Sequence, residues 1–506
     1  MLDFPILSIL IWLPILGAVL ILFFTHEKYI SLVRWLAFFI ALASLLFCIP
    51  LWVAFQDNVY QFQFQELLPW IPAYGINYAL GVDGISMPMV VLSTITTFVV
   101  ILASWQSIKE NVAQYLATFL VMQGMMVGTF CAIDSILFYV FWEAMLVPIY
   151  LNIGMWGGKR RVYASVKFFI YTFAGSAFML VAILYLRMHA DSFMIRDFYT
   201  LRLPRGVQDL IFIAFLLAFA VKVPIWPVHT WLPDAHTEAP AGGSVVLAAL
   251  MLKLGIYGFL RFSLPITPDV GKALVWLMII LALIAIVYIG MIAIVQKDIK
   301  RLIAYSSIAH MGFAVLGTFM VYVIVANTGD LKDAYLSLEG AMVQMISHAF
   351  STGALFLGVG MLYDRLHTRM IKDYGGLAHK LPLFAALMMI FALSNVGLPG
   401  TSGFVGEFMI ILSSFRANFW VAFLSASTLV LGAAYTLWMY KRVFFGKVAN
   451  EGVANIKPLH FAELLALLIL AVLVIFIGVY PLPVLNVFHA SVGHLLHESL
   501  ISKLPM

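Results

Sequence analysis

The stretch LAALMLKLGIYGF (residues 247–259) places one lysine, Lys253, deep within an apolar segment long enough to cross a lipid bilayer. An ionised side chain at the bilayer centre costs at least ~3 kcal/mol, so such a residue usually faces a polar interior and marks the path of an ion or a proton. Other apolar segments carry isolated titratable residues in the same way: Glu143 in FYVFWEAMLVPIY, Lys222 in LLAFAVKVPIW, His310 in SSIAHMGF, His348 in QMISHAFS and Glu407 in GTSGFVGEFMIIL.

Composition assigns the chain to the membrane proteins. Of its 506 residues, 63% are hydrophobic and only 10% are charged, whereas soluble domains have about 25% charged residues. The net charge of +5 comes from loops, and aromatic residues are not interleaved with basic runs, so nucleic-acid binding is not indicated. Cys48 and Cys131 both lie in apolar stretches and predict neither a disulfide nor a metal site.

The sequence predicts an all-α membrane protein. A spanning helix needs about 20 mostly apolar residues. The seventh and twelfth segments contain KVPIWPVHTWLP (222–233) and GLPGTSGFVGE (397–407). We predict that these are broken helices, because proline and glycine interrupt a helix and the freed backbone groups need a hydrated or protein-lined interior. Fourteen segments qualify, near 4–24, 31–55, 78–104, 113–132, 135–156, 163–187, 208–231, 242–263, 272–294, 301–325, 338–363, 381–415, 418–445 and 459–481.

Basic residues predict the orientation in the membrane. With both termini on the periplasmic side of a bacterial inner membrane, the inner loops hold eighteen Lys and Arg residues and the outer segments hold nine. This bias follows the rule that basic residues stay on the cytoplasmic side. The count places Lys300 among the inner-loop residues and Arg261 among the outer ones. The N-terminus lacks a basic region before its apolar run and is interpreted as a retained first helix.

A weak internal repeat joins YTFAGSAFMLVAILYL (171–186) to HAFSTGALFLGVGMLY (348–363). Each copy follows, by one helix, a span that opens with an aspartate, Asp134 or Asp298, which we predict to cap its helix. Five spans separate the copies, so the two halves would be inverted relative to each other. Transporters with inverted repeats place ion sites on broken helices near the membrane midplane.

Glu143 and Lys222 are candidates for a buried pair, since each lies mid-span on a different helix. At an effective dielectric of ~20, a carboxylate ~6 Å from an ammonium contributes ~2.8 kcal/mol. Moving or neutralising Glu143 would then change the proton affinity of Lys222 about a hundredfold. The alternative is a static salt bridge that only fixes helix packing.

The other four residues complete a candidate proton path. Lys253 has no carboxylate near it in sequence and is interpreted as a central relay; alternatively it extends toward the membrane surface. His310 and His348 suit a proton shuttle, because histidine exchanges its proton near neutral pH, although a lone buried histidine is more often a packing residue. Glu407 follows a glycine-rich break, where a carboxyl group could exchange protons in a hydrated gap or cap the second half-helix.

Three residues of WLPDAHTEAP could line a path for proton uptake: Asp234, His236 and Glu238. Ordinary hydrogen bonding in a loop explains them equally well. We do not interpret His229 and His236 as a metal pair.

In chain order, these residues resemble the antiporter-like membrane subunits of respiratory complex I. The resemblance covers most of residues 80–415. It is carried by VDGIS (82–86), FWEAMLVPIY (141–150), AVKVPIWPVHTWLPDAHTEAP (220–240), GSVVLAALMLKLGIYGFLRF (243–262), DIKRLIAYSSIAHMGF (298–313), QMISHAFSTGALF (344–356) and LPGTSGFVGEFMI (398–410).

The resemblance implies about fourteen transmembrane helices with two inverted five-helix repeats. The chain would divide into helices 1–3 (1–112), a first repeat (113–265), a second repeat (272–445) and a last helix with a tail (446–506). Glu407 marks one branch of the family, because sister chains and multisubunit sodium/proton antiporters typically carry lysine there. Val246 stands where some bacterial relatives carry aspartate, so no role of that acid is transferred. The family positions of the proton pathway fall on Glu143, Lys222, Lys253, His310, His348 and Glu407.

The resemblance also implies a proton-translocating subunit driven by redox chemistry elsewhere. No nucleotide, flavin, iron–sulfur or quinone motif appears in this sequence, so NADH, FMN, iron–sulfur clusters and quinone are expected in partner subunits and no cofactor or metal is expected here. Expected partners are other complex I membrane subunits, especially neighbouring antiporter-like chains, together with protons and lipid but not nucleic acid. The alternatives are a subunit of a multisubunit sodium/proton antiporter, a structural spacer and a single-chain solute transporter.

Overall fold

The computed structural model describes residues 4–505, and most of them form apolar helices. Within residues 4–505, ten helices are long and apolar enough to cross a membrane. Shorter apolar helices accompany them at Ile6–Leu22, Met87–Ala103 and Pro382–Val396. The predicted helical membrane fold is thereby confirmed, while the number of fourteen crossings stays a prediction.

Fourteen α-helices lie between residues 6 and 273. They are α1 (Ile6–Leu22), α2 (Ile30–Ala54), α3 (Met87–Ala103), α4 (Val112–Cys131), α5 (Ser135–Ala144), α6 (Leu146–Trp156), α7 (Arg161–Arg187), α8 (Ile195–Tyr199), α9 (Arg205–Lys222), α10 (Trp231–Glu238), α11 (Ala241–Val246), α12 (Leu252–Gly258), α13 (Leu264–Ile266) and α14 (Pro268–Ala273). Two π-helical turns, Leu247–Met251 and Phe259–Ser263, flank α12 within one continuous helical segment.

The remaining helices include the two longest. They are α15 (Val275–Leu283), α16 (Gly290–Ile294), α17 (Ile299–Thr328), α18 (Leu331–Leu366), α19 (Leu377–Lys380), α20 (Pro382–Val396), α21 (Ser402–Ala417), α22 (Phe419–Ala426), α23 (Thr428–Phe444), α24 (Glu451–Ala454), α25 (Phe461–Val479) and α26 (Leu482–Leu500). A third π-helical turn, Ile284–Ile289, joins α15 to α16. The most apolar stretches of α17, α18 and the segment 241–266 are almost completely buried and form the centre of the bundle.

A β-hairpin departs from the all-α prediction. Strands β1 (Gln63–Ile71) and β2 (Ile76–Val82) pair antiparallel, so the predicted third span at 78–104 begins as a strand and becomes helical only at Met87. The Glu66 carboxylate in β1 accepts hydrogen bonds from the backbone N–H groups of Leu7 (2.8 Å) and Ser8 (3.2 Å). The hairpin thus satisfies donors that the first turn of α1 leaves free.

Asp134 and Asp298 cap helices, as predicted. The Asp134 carboxylate accepts from two backbone N–H groups at the start of α5, and the Asp298 carboxylate accepts from one at the start of α17. Each aspartate also forms an isolated antiparallel bridge to a methionine, Asp134 to Met194 and Asp298 to Met370. The two caps therefore have matching surroundings, which is what a repeated half requires.

The break between α9 and α10 follows from its prolines. Pro224 has no N–H group to donate to Ala220; the Ala220 carbonyl instead accepts from the N–H of Ile225 (2.8 Å). The neighbouring carbonyl of Val221 accepts from the Trp231 indole N–H (2.9 Å). The predicted break in the seventh span is confirmed, and its freed carbonyls have partners.

The break between α20 and α21 follows from its glycines. Gly397 and Gly400 have φ values of +78° and +89°, which glycine adopts without steric cost. A Cβ atom on Gly403 would lie 1.9 Å from the Ser394 carbonyl oxygen. The two half-helices approach closely only because position 403 is glycine, and the predicted break in the twelfth span is confirmed.

Residues 482–500, left as a tail in the sequence analysis, form the additional helix α26. Its Ser491 hydroxyl accepts from the N–H of Gly84 (2.9 Å) in the VDGIS segment. A Cβ atom on Gly84 would lie 2.2 Å from the Val487 carbonyl oxygen. The C-terminal helix is therefore fastened to the segment that precedes α3.

We expect Gly403→Ala to destabilise the protein, because a methyl group has no room beside the Ser394 carbonyl and overpacking costs roughly 1–3 kcal/mol. The thermal unfolding midpoint of the detergent-purified chain measures the effect. Gly206→Ala is the matched control, since its Cβ atom would meet no atom within 4 Å. Equal midpoints for the two variants would show that the break tolerates a side chain.

Candidate functional site

Lys253 lies directly after the first π-helical turn of the segment 241–266. Its Nζ atom donates to the Ala248 carbonyl oxygen (2.5 Å) and lies 2.6 Å from Nδ1 of His348. Both side chains are buried. When Lys253 carries its proton, the His348 Nδ1 atom must accept, so the imidazole N–H is at Nε2. The structure therefore gives Lys253 a titratable hydrogen-bonding partner on α18 and does not direct it to the membrane surface.

His310 and Glu407 form a second buried pair. Nδ1 of His310 lies 2.8 Å from Oε1 of Glu407, and the Gln344 side-chain amide donates to the same oxygen (3.3 Å). Glu407 lies beyond the first turn of α21, so it does not cap that helix. A Cβ atom on Gly397 would lie 2.9 Å from Oε2 of Glu407. The carboxyl group thus sits against the break in the helix.

The two histidines join these pairs. Their ring centroids are 5.8 Å apart, and the Nε2 atoms of both are buried without a hydrogen-bond partner among residues 4–505. Buried polar atoms normally bond to protein or to ordered water. Four of the six predicted residues therefore follow one another across the bundle: Lys253, His348, His310 and Glu407.

Lys222 is buried at the end of α9, beside α12. Its Nζ atom lies 4.8 Å from the centre of the Trp142 ring and has no hydrogen-bond partner in the described part of the chain. A Cβ atom on Gly255 would lie 2.8 Å from the Phe219 carbonyl oxygen and 2.9 Å from the Val223 backbone nitrogen. The backbone next to Lys222 therefore contacts the helix that carries Lys253, although no direct contact between the two lysines was found within residues 4–505.

The predicted interaction of Glu143 with Lys222, with the two charges ~6 Å apart, stays a prediction. Within residues 4–505 no ion pair within 4.0 Å joins them, although their charges interact. Glu143 is half-buried and shares its helix face with the exposed Val140 and Val147. Pro148 lacks the N–H group that would bond to Ala144, so the helix bends after Glu143. One carboxylate oxygen, Oε1, is nevertheless buried and has no hydrogen-bond partner in the described part of the chain.

The acidic residues of WLPDAHTEAP lie on α10 and bind basic residues and backbone N–H groups. Asp234 pairs with Lys167 (2.8 Å), and Glu238 accepts from the N–H of Arg160 (2.9 Å). His236 differs from both, because its ring is buried, stacks on Phe356 with centroids 4.4 Å apart, and has no hydrogen-bond partner on either nitrogen within the described chain.

Lys300 and Arg261, near the ends of membrane-spanning segments, are buried although the sequence analysis counts them among the loop residues. Lys300 is buried in the first turn of α17 and donates to the Ala239 carbonyl oxygen (2.7 Å). Arg261 pairs with Asp83 (2.7 Å), and both are buried. Near the end of an apolar segment, sequence cannot show whether a charge turns into the bundle or out to water. The VDGIS segment carrying Asp83 was the available signal for the second pair.

Residues 132–432 match the protein-family model described as NADH:quinone oxidoreductase/Mrp antiporter, transmembrane region. This match covers more than half of the chain. The chain belongs to that family.

Full-length relatives agree with this NADH:quinone oxidoreductase/Mrp antiporter family. NADH-quinone oxidoreductase subunit M of Rhodobacter capsulatus is 44% identical, over 97% of this chain and 96% of the relative. NADH-ubiquinone oxidoreductase chain 4 of Marchantia polymorpha is 40% identical, over 97% of each chain. A chain of respiratory complex I from Thermus thermophilus with bound NADH superimposes with a TM-score of 0.86 at 31% identity, over 97% of this chain and 99% of that one. The resemblance seen in the sequence is confirmed, including the branch, subunit M or chain 4, that Glu407 indicates.

We expect the free-energy costs of removing His310 and Glu407 to be coupled. Removing one member of a buried pair costs roughly 3–5 kcal/mol, because the other is left without its partner. His310→Leu and Glu407→Leu should each destabilise the purified chain, and the double variant should cost less than the sum by more than about 0.5 kcal/mol. Unfolding in denaturant measures this cycle.

A second cycle is the control. It combines Glu407→Leu with His229→Leu, in the loop between α9 and α10, and its costs should add. If the free-energy costs of His310→Leu and Glu407→Leu were also additive, the two side chains would not interact.

Proposed function

We propose that this chain is a proton-translocating subunit of the membrane arm of an NADH:quinone oxidoreductase, of the kind named subunit M or chain 4 in its relatives. Protons would move through the buried Glu/Lys/His residues, driven by redox chemistry in other subunits. The observation that carries this proposal is the sequence of buried contacts Lys253–His348, His348–His310 and His310–Glu407.

The geometry supports proton exchange at Lys253. Its ammonium group and the His348 imidazole share one short contact of 2.6 Å, so a proton can pass from Nζ to Nδ1 without movement of either helix. The second imidazole nitrogen then releases a proton toward His310, because a histidine protonated on both nitrogens donates from both. The same two-nitrogen exchange carries the proton from His310 to the Glu407 carboxylate.

A change of charge near the series Lys253, His348, His310 and Glu407 would drive proton transfer along it. A unit charge ~10 Å away contributes ~1.7 kcal/mol at an effective dielectric of ~20, more than a tenfold change in a protonation equilibrium. Lys222 lies on the helix that contacts α12 and is the residue through which we propose that such a change reaches Lys253. Glu143 would set the charge state of Lys222 and would release the lysine's proton when it moves or is neutralised.

Partners and location belong to the same proposal. We infer that a neighbouring antiporter-like chain covers the face that carries Glu143, Val140 and Val147, because this face sets exposed apolar side chains beside a half-buried carboxylate and a charge next to lipid is costly. NADH, flavin, iron–sulfur clusters and quinone would be bound by other subunits. The proposed location is the bacterial inner membrane, with both termini on the periplasmic side and with two inverted repeats spanning 113–265 and 272–445.

A cation/proton antiporter subunit is the second candidate, because the matching family model covers both classes. Glu407 favours the first function, since the antiporter chains typically carry lysine at that position. A structural spacer would bury the same pairs for packing alone, and it predicts that neutral replacements keep full proton pumping.

We expect Lys253→Met to lower coupled quinone reduction on the order of tenfold, because losing about 1.4 kcal/mol of stabilisation at one transfer step has that effect. The measurement is NADH-driven quinone reduction and proton pumping in membrane vesicles that contain the assembled complex. NADH oxidation by an artificial electron acceptor reports assembly. Lys297→Met, at an exposed lysine, is the control and should behave as wild type.

Lys222→Ala tests the outer part of the relay in the same vesicles. It should lower pumping while leaving assembly intact, because it removes the charge that acts on the helix of Lys253. Wild-type coupled activity in the assembled Lys222→Ala complex would contradict the relay.

A further inference from the structure

Lys300 is a buried cation for which the relay described above has no role. Its Nζ atom donates to the carbonyl oxygen of Ala239 (2.7 Å) and lies 3.4 Å from the Ser244 hydroxyl. The Ala239 carbonyl is available because α10 ends at Glu238 and α11 begins at Ala241. A lysine that serves only solubility would extend to water at this end of the helix, whereas Lys300 is turned into the bundle.

The groups facing Lys300 are both acidic and basic. Its ammonium group interacts electrostatically with the carboxylates of Asp298, Glu238 and Asp364 and with the guanidinium of Arg369. In residues 4–505 no acid lies within 4.0 Å of Lys300. Asp298 and Glu238 both pair with Arg369, which lies 3.3 Å from the Asp298 carboxylate and 3.7 Å from the Glu238 carboxylate. Asp364 is the acid left to face Lys300.

Asp364 connects Lys300 to water. It lines a cavity of about 590 Å³, whose other walls include Lys109, Trp156, Arg161, His367 and Lys457. The Asp364 residue is exposed within this cavity, and its carboxylate interacts with Lys300. The basic residues that line the cavity are those that the positive-inside rule assigns to the cytoplasmic face. The cavity therefore brings the inner aqueous phase to the neighbourhood of Lys300.

His236 is connected to Lys300 through Ser244. The Ser244 hydroxyl that lies near Lys300 donates to the His236 carbonyl oxygen (3.0 Å). The His236 ring interacts electrostatically with both Lys300 and Lys253. Both ring nitrogens are buried without partners in the described chain, as a group poised to exchange protons through water requires.

α18 runs beside this whole series. Residues spaced by four form a ridge along a helix, and one such ridge extends from the relay to the inner cavity over ~24 Å. Near its middle, the Thr352 hydroxyl is buried without a hydrogen-bond partner in residues 4–505, and the Phe356 ring stacks on His236. The ridge comprises His348, Thr352, Phe356, Gly360 and Asp364.

We propose that Lys300 is the proton-uptake residue of the inner face, supplied through Asp364 and discharging through His236 to the Lys253–His348 pair. The inference rests on the proposed function, for which it provides the uptake half. In one cycle Lys300 passes one proton from Nζ to a His236 nitrogen, and a proton from the cavity, carried by Asp364, restores the ammonium group. His236 then gives its proton to Lys253, which restores the ammonium group that had passed its proton to His348, and no electron is transferred at any step.

Two substitutions at Lys300 separate proton transfer from structural support. Lys300→Arg keeps the positive charge and the hydrogen bond to Ala239, but arginine does not release its proton in proteins. Lys300→Gln removes both the charge and the exchangeable proton. A supporting role predicts that arginine rescues the protein. A transfer role predicts that arginine is as defective as glutamine.

The experiment uses inverted membrane vesicles that contain the assembled complex, because their outer buffer contacts the inner face of the membrane. The initial rate of NADH-driven proton pumping is measured from mildly acidic to mildly alkaline buffer. We expect both Lys300 variants, and Asp364→Asn, to pump several-fold more slowly in alkaline buffer. The deficit should shrink as the buffer is acidified, because uptake limits the rate. Lys297→Gln, the same change at an exposed lysine three residues earlier, should match wild type throughout.

The outcomes distinguish the uptake role of Lys300 from the proposed function of the whole chain. Wild-type pumping by Lys300→Arg at every pH would overturn the uptake role. If Lys253→Met is defective in the same vesicles, the proposed function stands without that role. If Lys253→Met also pumps normally, the relay itself fails. Should Lys300→Gln not assemble, Lys300→Arg and Asp364→Asn give the same decision.

Discussion

The buried ammonium group of Lys253 constrains the rest of the structure. Its nearest acceptors are the Ala248 carbonyl and the His348 imidazole. The first acceptor depends on an irregular stretch of helix, and the second depends on a buried neighbouring helix. In a regular α-helix the Ala248 carbonyl would bond to the N–H four residues later; the π-helical turn Leu247–Met251 shifts this pattern just before Lys253. The imidazole comes from α18, whose apolar middle part is completely buried. Holding one charge thus requires both the helix irregularity and the central position of α18.

Irregular helices accompany the other charges as well. Glu143 lies at the bend between α5 and α6, Lys222 is the last residue of α9, and Glu407 lies against Gly397 in the break before α21. A regular apolar helix satisfies its own backbone and gives a buried charge nothing to bond with. A broken helix frees carbonyl and N–H groups and keeps space for water. The helix breaks and the buried charges therefore depend on each other, because each break provides polar groups near the charge that it accompanies.

The sequence predicted the parts of the site that depend on hydrophobic contrast. Lys253, His310, His348 and Glu407 were recognisable because each interrupts an apolar segment, and the two broken helices because proline and glycine act locally. The degree of burial of Glu143 was not predictable from the sequence, because it depends on the packing of helices around the break between α5 and α6. Lys300 and Arg261 were assigned to loops for a similar reason: each lies near a helix end, where hydropathy does not distinguish an inward side chain from an outward one.

Two elements of the fold were missed for different physical reasons. The hairpin at 63–82 is stabilised by contacts with α1, such as the hydrogen bond from the Leu7 N–H to Glu66. These two residues are 59 positions apart, and a local sequence pattern does not predict so distant a bond. α26 carries several histidines and lacks a continuous apolar run, so a test for membrane-spanning length passes over it. Its attachment through Ser491 to Gly84 joins residues 407 positions apart.

The central claim is that a continuous hydrated path crosses the middle of the bundle from Lys222 to Glu407. The most direct test is a structure of the assembled complex at a resolution that shows ordered water. The account predicts water within hydrogen-bonding distance of the Nε2 atoms of His310 and His348, and further water linking Lys222 to Lys253. Apolar side chains filling these gaps, with no room for water between the titratable groups, would contradict it.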